Sequence, residues 1–295
     1  MIKLVLTDLD DTLIAVGSGG ASARAVAAMH ALTDAGVWAG PATGRQPKSM
    51  RWMFVDHPEC YRTGVFANGQ LLFCDGELVA AHELDHDVLC RLVDFLDRET
   101  DDTVLNLYEL GPDFFENEPF FVTRDPRRLA EILDPSEEFL LRAPHVDAVP
   151  EHTLYKANVR SAASREELAQ VRERLRSVVP ELDFVFPNAF SSMFDIVPAG
   201  WGKGAGIAEL AEKIGVAIDD VMVFGDSEND LTMFDAVPNS VAVSNAMPEV
   251  AAAARWHIGA SADDAVAAAF EEIARCAVAA GVPSFMPSIS GEDDK

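Results

Sequence analysis

The sequence predicts an α/β fold, in which a Rossmann-like, doubly wound parallel sheet is interrupted by an inserted α+β domain. At both ends of the chain, short apolar runs alternate with stretches of helical spacing, which is typical of a parallel sheet. This alternation breaks after about residue 82 and resumes at Gly202. The predicted domains are a discontinuous core of residues 1–82 and 198–282, an inserted domain of residues 83–197 and a flexible tail of residues 283–295.

The first part of the core alternates predicted strands and helices. Residues 2–7 form an apolar, β-branched run that ends in acidic residues, which predicts a buried strand leading into a loop. The Ala-rich stretch 22–35 has helical spacing and stops at Gly36. Turns are predicted at Thr43-Gly44-Arg45 and at Asn68-Gly69. The further strands predicted around these turns are residues 37–42, 64–68 and 71–74.

The middle block has short strands and acidic, Pro-rich loops, which indicates a small sheet of its own. Its predicted helices are residues 88–98 and 165–178, and its predicted strands are residues 103–108, 154–160, 184–186 and 193–197. The α/β alternation then returns. The predicted helices of this last part are residues 203–214, 231–236, 249–254 and 262–280, and its predicted strands are residues 221–224 and 240–243.

Composition and charge exclude several classes of partner. The 295 residues, 49% of them hydrophobic and 24% charged, are typical of a folded globular protein with a sizeable core. A net charge of −26 repels nucleic-acid phosphates and anionic lipids, so we expect neither nucleic acid nor membrane as a partner. No long apolar run or CxxC pair is present, and the early acidic residues lead us to expect no signal peptide. These features predict a cytoplasmic protein with reduced cysteines.

Polar side chains follow three predicted strands, at the edge where open parallel sheets bind ligands. The residues are Asp8 and Asp10 after the first strand, Thr43 after the second, and Asp226, Asn229 and Asp230 after the strand of residues 221–224. Lys203 opens the helix that precedes this last strand. Because parallel strands end at a common edge, we expect these side chains to lie close together.

Four motifs in chain order resemble those of the haloacid dehalogenase superfamily of phosphoryl-transfer enzymes. They are Asp8-Leu9-Asp10-Asp11-Thr12-Leu13, Thr43-Gly44-Arg45, Lys203-Gly204-Ala205-Gly206-Ile207 and Gly225-Asp226-Ser227-Glu228-Asn229-Asp230. A long insertion between the second and third motifs is similar to the α/β cap domain of the Cof-type phosphatase branch. The segments Phe66-Ala67-Asn68-Gly69 and Phe194-Asp195-Ile196-Val197-Pro198 also resemble that branch.

The resemblance implies a Mg²⁺-dependent phosphatase that hydrolyses a small phosphorylated metabolite, such as a sugar phosphate, through an aspartyl-phosphate. Asp8 would be the nucleophile, and Asp10 would protonate the leaving oxygen and then activate water. Asp8, Asp226 and the Asp10 carbonyl oxygen would hold Mg²⁺. Asp230 would lie beside this metal site and act on a metal-bound water or on the lysine. The residues expected to contact phosphate or substrate are Thr43, Gly44, Arg45, Asn68, Lys203 and Asn229.

Several of these residues could have a structural role instead of a role in the site. Asp226 and Asp230 could cap a helix, which is compatible with metal binding. Arg45 could face the ligand or pair with an acid, and Glu228 is expected on the solvated surface. Five residues of the inserted block could reach the substrate or could be surface charges and loop caps; they are Lys156, Arg160, Asn188, Ser191 and Ser192.

Two other functions stay open at this point. A phosphomutase of the same superfamily would retain the phosphate and release none to water. A non-catalytic sensor of a phosphorylated ligand would be expected to lose the nucleophile or the acid, whereas Asp8 and Asp10 are both present. The sequence predicts neither the identity of the substrate nor the oligomeric state.

Overall fold

The computed structural model describes residues 1–112, 114–135, 137–188 and 191–286. Its helices are α1 (Ala23–Asp34), α2 (Pro47–Met53), α3 (His86–Glu99), α4 (Leu129–Ile132), α5 (Glu138–Leu141), α6 (Arg165–Val178), α7 (Lys203–Lys213), α8 (Leu231–Ala236), α9 (Pro248–Ala253) and α10 (Ala265–Ala279). Its strands are β1 (Leu4–Thr7), β2 (Trp38–Pro41), β3 (Gly64–Phe66), β4 (Leu71–Cys74), β5 (Glu77–Ala81), β6 (Thr103–Leu110), β7 (Asn117–Val122), β8 (His145–Val146), β9 (Ala157–Ser161), β10 (Leu182–Val185), β11 (Met193–Pro198), β12 (Val221–Gly225), β13 (Asn239–Ala242) and β14 (Trp256–His257). Within these described ranges, no helix is long and apolar enough to cross a membrane.

A parallel sheet with helices on both faces forms the core. Its five strands have the order β14-β13-β12-β1-β2. On β1, Val5 packs with residues of α1 and α10, whereas Leu4 and Leu6 pack with residues of α7 and α8. Both faces of β1 are therefore buried, which is why its sequence is a continuous apolar run. This arrangement confirms the predicted doubly wound α/β fold.

A small antiparallel sheet, β3-β4-β5, follows the second strand of the core. A bridge between Ala42 and Val65 joins it to the end of β2. The turn between β3 and β4 holds Asn68 in the left-handed region, with φ of 54°. Asparagine tolerates that conformation better than most residues, so the turn matches its Asn-Gly sequence.

The inserted block is built on a six-stranded sheet with the order β10-β11-β9-β6-β7-β8. Its pairs are antiparallel except for β7 with β8. Alternate side chains point to opposite faces. Leu105, Val159 and Phe194 pack against α3 and α6 in an apolar cluster of their own. The polar residues Asn158 and Asp195 lie at alternate positions of the same strands, on the opposite face.

The observed sheet of the inserted block confirms the predicted cap fold. Among the described residues of the whole chain, seven helices and strands were not predicted from sequence; they are α2, α4, α5, β5, β7, β8 and β14. β7 carries Pro119, which contributes no backbone donor, and it lies in an acidic segment that reads as loop. The pairing of β7 with six residues of β6 compensates for this weak local pattern. Pairing with β6 therefore forms the strand β7, which the local sequence propensity did not predict.

The predicted domain boundaries and the predicted flexible tail stay predictions. Most of that tail, residues 287–295, lies outside the described residues. In the described part of the tail, the N–H and hydroxyl of Ser284 donate to the Glu272 carboxylate at 2.5 and 3.0 Å. Phe285 and Met286 pack against the core. The first residues of the segment are therefore in contact with the folded protein.

Gly40 on β2 lies so close to the neighbouring chain that no side chain fits. A Cβ atom at this position would come 1.7 Å from the Thr63 carbonyl oxygen. We expect Gly40→Ala to lower the free energy of unfolding by about 3 kcal/mol, because a backbone atom cannot move aside without disturbing the sheet. Denaturant unfolding measures this loss.

The matched control is Gly19→Ala, since a Cβ atom there would meet nothing within 4 Å. We expect it to change the free energy of unfolding by less than about 0.5 kcal/mol. Equal unfolding midpoints for the two variants would contradict the close approach at Gly40.

Candidate active site

Asp8 lies at the carboxyl end of β1, where the parallel sheet opens into loops. Its N–H donates to the Phe224 carbonyl oxygen on β12 at 2.8 Å, which continues the pairing of the two strands. Its carboxylate is buried, and Oδ1 accepts a hydrogen bond from Lys203 Nζ at 2.6 Å. The sheet backbone and the lysine together fix the position of this carboxylate.

Lys203 is the first residue of α7 and is fully buried. Its Nζ donates to Asp8 Oδ1 and to Asp230 Oδ1, each at 2.6 Å. Burial disfavours the ammonium, but attraction to Asp230 and Asp8 outweighs it and raises the pKa of Lys203 above its ordinary value. The lysine is therefore held as a cation between two carboxylates.

The loop after β12 folds around the carboxylate of Asp230. Oδ2 of Asp230 accepts from the backbone N–H groups of Asp226 and Ser227 at 2.8 and 2.9 Å. Gly225 permits this close approach, because a Cβ atom there would lie 2.6 Å from the Asp230 carboxyl group. With its other oxygen on Lys203, Asp230 fixes both the loop and the lysine.

Asp226 completes a group of three buried carboxylates with Asp8 and Asp230. One oxygen of each lies within 4.8 Å of the others. Oδ1 of Asp226 accepts from the Thr12 hydroxyl and Oδ2 from the Ser227 hydroxyl, both at 2.7 Å. Hydroxyl donors on both oxygens orient this side chain towards the cluster.

The three carboxylates carry more negative charge than Lys203 neutralises. Burial, followed by repulsion from Asp230, raises the pKa of Asp226 to about 7. Burial also raises the pKa of Asp8 well above its usual range, although the lysine opposes this. A cation entering the cluster would relieve both effects, and carboxylate oxygens are ligands that Mg²⁺ prefers. The residues present therefore fit a hard divalent cation.

Thr12 is a site residue to which the sequence assigned no role. The turn after β1 brings its hydroxyl to Asp226, 214 positions away in sequence. This turn is closed by hydrogen bonds from Asp11 N–H to Ile14 O and from Ile14 N–H to Leu9 O, each at 2.8 Å. The signal that could have identified it is the threonine in the Asp-Leu-Asp-Asp-Thr motif.

The second motif follows β2 and is buried at Thr43. The Thr43 N–H donates to the Val65 carbonyl oxygen at 2.8 Å, so its hydroxyl is the donor left for a phosphate. That hydroxyl accepts from the Arg45 N–H at 3.1 Å. At Gly44, a Cβ atom would lie 2.7 Å from Asp195 Oδ2. Glycine at this position therefore lets the cap sheet approach the core closely.

Arg45 forms a two-point ion pair with Asp10. Its Nε donates to Asp10 Oδ2 at 2.6 Å and its Nη2 to Oδ1 at 2.7 Å. Its guanidinium also lies over the Trp52 ring, 5.4 Å from the ring centre. The side chains of Arg45 and Asp10 are 37% and 42% exposed, so this pair is worth at most about 1 kcal/mol. An anionic ligand can therefore separate it at little cost.

Asn68 connects the two sides of the candidate site. Its Nδ2 donates to Asp195 Oδ2 at 2.6 Å, and its Oδ1 accepts from Asn229 Nδ2 at 3.2 Å. Oδ1 of Asn229 is buried and has no hydrogen-bond partner among the described residues. A buried acceptor of this kind is available to a ligand or a water molecule.

Asp195 is a second residue that the sequence did not single out for the site. Lys156 Nζ donates to its Oδ1 at 2.5 Å, and both side chains are almost fully buried. Burial lowers the pKa of Lys156, although the attraction of Asp195 opposes this. Arg160 pairs with Glu137 at 3.0 Å. Lys156 and Arg160 are largely buried and line the cavity described below, so they are not simple surface charges. Asn188 also lines the cavity but is exposed.

Glu228 was expected on the solvated surface, and this expectation is wrong. Its Oε1 accepts from Arg172 Nη1 at 2.5 Å, and both side chains are largely buried. Arg172 belongs to α6 of the cap and lies 4.9 Å from the centre of the Phe186 ring. The fourth motif is therefore in direct contact with the cap.

A cavity of about 840 Å³ lies between the core loops and the polar face of the cap sheet. Asp8, Asp10 and Asn229 line it from the core. Tyr108, Asn158 and Arg160 line it from the cap. Thr43, Gly44 and Arg45 line the same cavity. Four other predicted site residues do not line it; they are Asn68, Lys203, Asp226 and Asp230.

Comparison with known proteins matches residues 5–270 to a family described as haloacid dehalogenase-like hydrolase. An HMP-PP phosphatase of Yersinia enterocolitica is 28% identical over 258 residues, which are 85% of this chain and 86% of that protein. An HMP-PP phosphatase of Yersinia pseudotuberculosis is 27% identical over 256 residues, with the same coverage of 85% and 86%. These findings confirm the predicted family resemblance and the predicted enzyme class, a phosphatase of the haloacid dehalogenase type.

Solved structures show the same fold. A protein of Streptococcus mutans UA159 superposes with a TM-score of 0.76 at 20% identity, covering 92% of this chain and 99% of that one. The sugar phosphatase BT4131, described as subclass IIB of the superfamily, superposes with a TM-score of 0.73 at 18% identity, covering 92% and 98%. At such identities the likeness concerns the fold alone, and it confirms the predicted core and cap.

We expect Asp226→Asn to stabilise the metal-free protein at pH 8. The pKa of Asp226 is about 7 in the folded protein and near 4 in an unfolded chain, so the folded state loses stability as pH rises between these values. Removing the charge should recover up to about 4 kcal/mol above pH 7 and almost nothing near pH 4. Thermal unfolding in the presence of a chelator measures the difference.

Asp235→Asn is the matched control, because Asp235 is an exposed acid on α8. We expect it to leave the unfolding temperature unchanged at both pH values. A metal-free Asp226→Asn protein that is less stable than wild type at pH 8 would contradict the inferred repulsion between the buried carboxylates.

Proposed function

The chain belongs to the haloacid dehalogenase-like hydrolase family, and we propose that it is a Mg²⁺-dependent phosphatase of small phosphorylated metabolites. The observation that carries this proposal is the contact of Asp8 with Lys203 inside a cluster of three buried carboxylates. The cluster borders a cavity large enough for a small metabolite.

Asp8 is the proposed nucleophile. Its Oδ1 is fixed by Lys203, and Asp8 lines the cavity. Attack on phosphorus forms an aspartyl-phosphate, which water then hydrolyses. A carboxylate held at one oxygen by a buried lysine loses little freedom when it reacts, which lowers the entropic part of the barrier.

The positive charge that the reaction needs comes from several sources. A phosphate dianion repels an attacking carboxylate, so charge must be supplied where the phosphoryl group transfers. Lys203 contributes a fixed ammonium at Asp8. Asp8, Asp226 and the Asp10 carbonyl oxygen would hold Mg²⁺, with Asp230 beside them. When bound, the ion supplies charge stabilisation to the transferring phosphoryl group.

Asp10 is the proposed general acid and base, and Arg45 controls its availability. In the structure, both oxygens of Asp10 accept from Arg45. An anionic substrate that attracts Arg45 would release Asp10 to carry a proton to the leaving oxygen. Asp10 would then take a proton from the water that attacks the aspartyl-phosphate. Thr43 and Asn229 are proposed contacts of the phosphate itself.

The substrate would lie between Asp8 and the polar face of the cap sheet. The polar residues Tyr108, Asn158 and Arg160 of that face line the cavity. Polar groups at fixed positions suit a leaving group with several hydroxyl or anionic groups. The relatives named HMP-PP phosphatase and the similarly folded sugar phosphatase make HMP-PP and sugar phosphates the first compounds to test.

The decisive experiment measures inorganic phosphate released from a panel of phosphorylated metabolites, with Mg²⁺ and with chelator. We expect wild-type protein to release phosphate only with Mg²⁺. Asp8→Asn should reduce turnover by at least about 10⁴-fold, because the amide has no nucleophilic oxygen anion.

The control variant is Asp11→Asn. Asp11 lies in the same loop, has φ of 61° and accepts from the Ser261 hydroxyl at 3.0 Å, both of which asparagine can reproduce. It should retain near wild-type turnover. Mg²⁺-dependent phosphate release by Asp8→Asn would overturn the assignment, and isomerised phosphate ester without free phosphate would indicate a phosphomutase.

Asp10→Ala tests the general acid. We expect a loss of about 10²–10⁴-fold with a sugar phosphate, whose alkoxide leaving group needs a proton. The loss should be much smaller with nitrophenyl phosphate, whose leaving group is a stable anion. The ratio of kcat/KM values for the two substrates is the measurement, and equal losses would count against Asp10 as the acid.

A further inference from the structure

Two histidines and a glutamate converge on the surface of the core. His30 lies on α1, and His57 and Glu59 lie in the segment that connects α2 to β3. His30 Nε2 and His57 Nδ1 lie 2.8 and 3.3 Å from the same oxygen, Glu59 Oε1. One ligand atom from each residue lies within 4.8 Å of the others. We call these three residues the His-Glu cluster.

The contact between His30 and Glu59 is not an ordinary hydrogen bond. Nε2 of His30 is covered from solvent, yet it has no hydrogen-bond partner among the described residues. It is close to the glutamate oxygen but poorly aligned with it. Two polar atoms that are close and misaligned can both point at a third position, as ligands of one ion do.

The imidazole rings have a spacing that suits a shared ion. The ring centres of His30 and His57 are 5.5 Å apart, and their planes differ by 63°. Two imidazoles bound to one tetrahedral metal ion through nitrogen atoms place their ring centres roughly 5 Å apart. Only small side-chain movements would therefore be needed to bring the three ligand atoms around one ion.

We propose that the His-Glu cluster binds a divalent transition-metal ion, with Zn²⁺ as the best match. Two imidazoles and one carboxylate are a ligand set that Zn²⁺ accepts, and they leave a fourth position for water. Mg²⁺ prefers oxygen ligands, so the cluster differs in selectivity from the buried carboxylates of the active site. The inference does not depend on the proposed phosphatase activity.

Such an ion would connect two segments that are far apart in sequence. It would tie α1 to the chain immediately after α2, where Asp56 adopts the left-handed conformation with φ of 60°. Helix α2 carries Lys48 and Trp52, which line the cavity. A bound ion would therefore restrict the end of a helix that forms part of the cavity wall.

The test uses full-length Asp226→Asn protein, freed of metal, so that the carboxylate cluster is weakened as a competing site. Titration with Co²⁺, followed by visible absorption, should show one bound ion with nitrogen ligands and with a dissociation constant on the order of 1 µM. Calorimetry with Zn²⁺ should give the same stoichiometry. Millimolar Mg²⁺ should not displace either ion.

His57→Ala and Glu59→Gln are the informative variants, because both side chains are more than 40% exposed and we expect their replacement to disturb the fold little. Each should weaken Zn²⁺ binding at least about tenfold and remove the rise in unfolding temperature that Zn²⁺ causes. His145→Ala is the control, since His145 is an exposed histidine on β8 of the cap. It should bind Zn²⁺ like the parent protein.

Two results would overturn the proposal. One is Zn²⁺ binding that is equally strong in the parent protein and in His57→Ala, since the ion would then lie elsewhere. The other is binding weaker than about 1 mM, which is typical of adventitious contact with surface histidines.

Discussion

The buried ammonium of Lys203 is the contact on which the candidate active site depends. It joins the end of β1, through Asp8, to the loop after β12, through Asp230. The same Asp230 holds two backbone N–H groups of that loop. Loss of the lysine would leave two carboxylates buried without a counter-charge, a change that typically costs about 3–5 kcal/mol. One cation therefore organises the nucleophile, the loop and the acidic cluster together.

The sequence could predict which residues converge at this cluster, because parallel strands end at the same edge of a sheet. Asp8 and Asp226 needed only the order of strands and helices, whereas Lys203 also needed its place in the order of the four motifs. The partners of long side chains needed more. Arg45 reaches Asp10 within the core, whereas Glu228 reaches Arg172 across to the cap, 56 positions away. Such pairs depend on how the core sheet and the cap sheet approach each other, and no local sequence pattern predicts this arrangement.

The role of Asp195 illustrates the same limit from the side of the cap. A Phe-Asp-Ile-Val-Pro segment predicts a strand, and β11 is indeed there. Its importance appears only when the register of the sheet is known, because Asp195 then lies beside Asn158 and within reach of Lys156 and Asn68. Local propensity identifies a strand, but cross-strand pairing decides which of its side chains meet the cavity.

The alternation of side chains along the cap strands has a consequence for how such a protein can change over time. Positions such as Leu105, Val159 and Phe194 hold the cap together against α3 and α6. Residues of the opposite parity on the same strands border the cavity; they are Tyr108, Asn158, Arg160 and Asp195. A substitution at a cavity position alters what the cap offers to a ligand without disturbing the apolar cluster behind the sheet. At these positions, cap packing and ligand preference are thus encoded by different residues of the same strands, and a residue that borders the cavity can change while the apolar cluster stays the same.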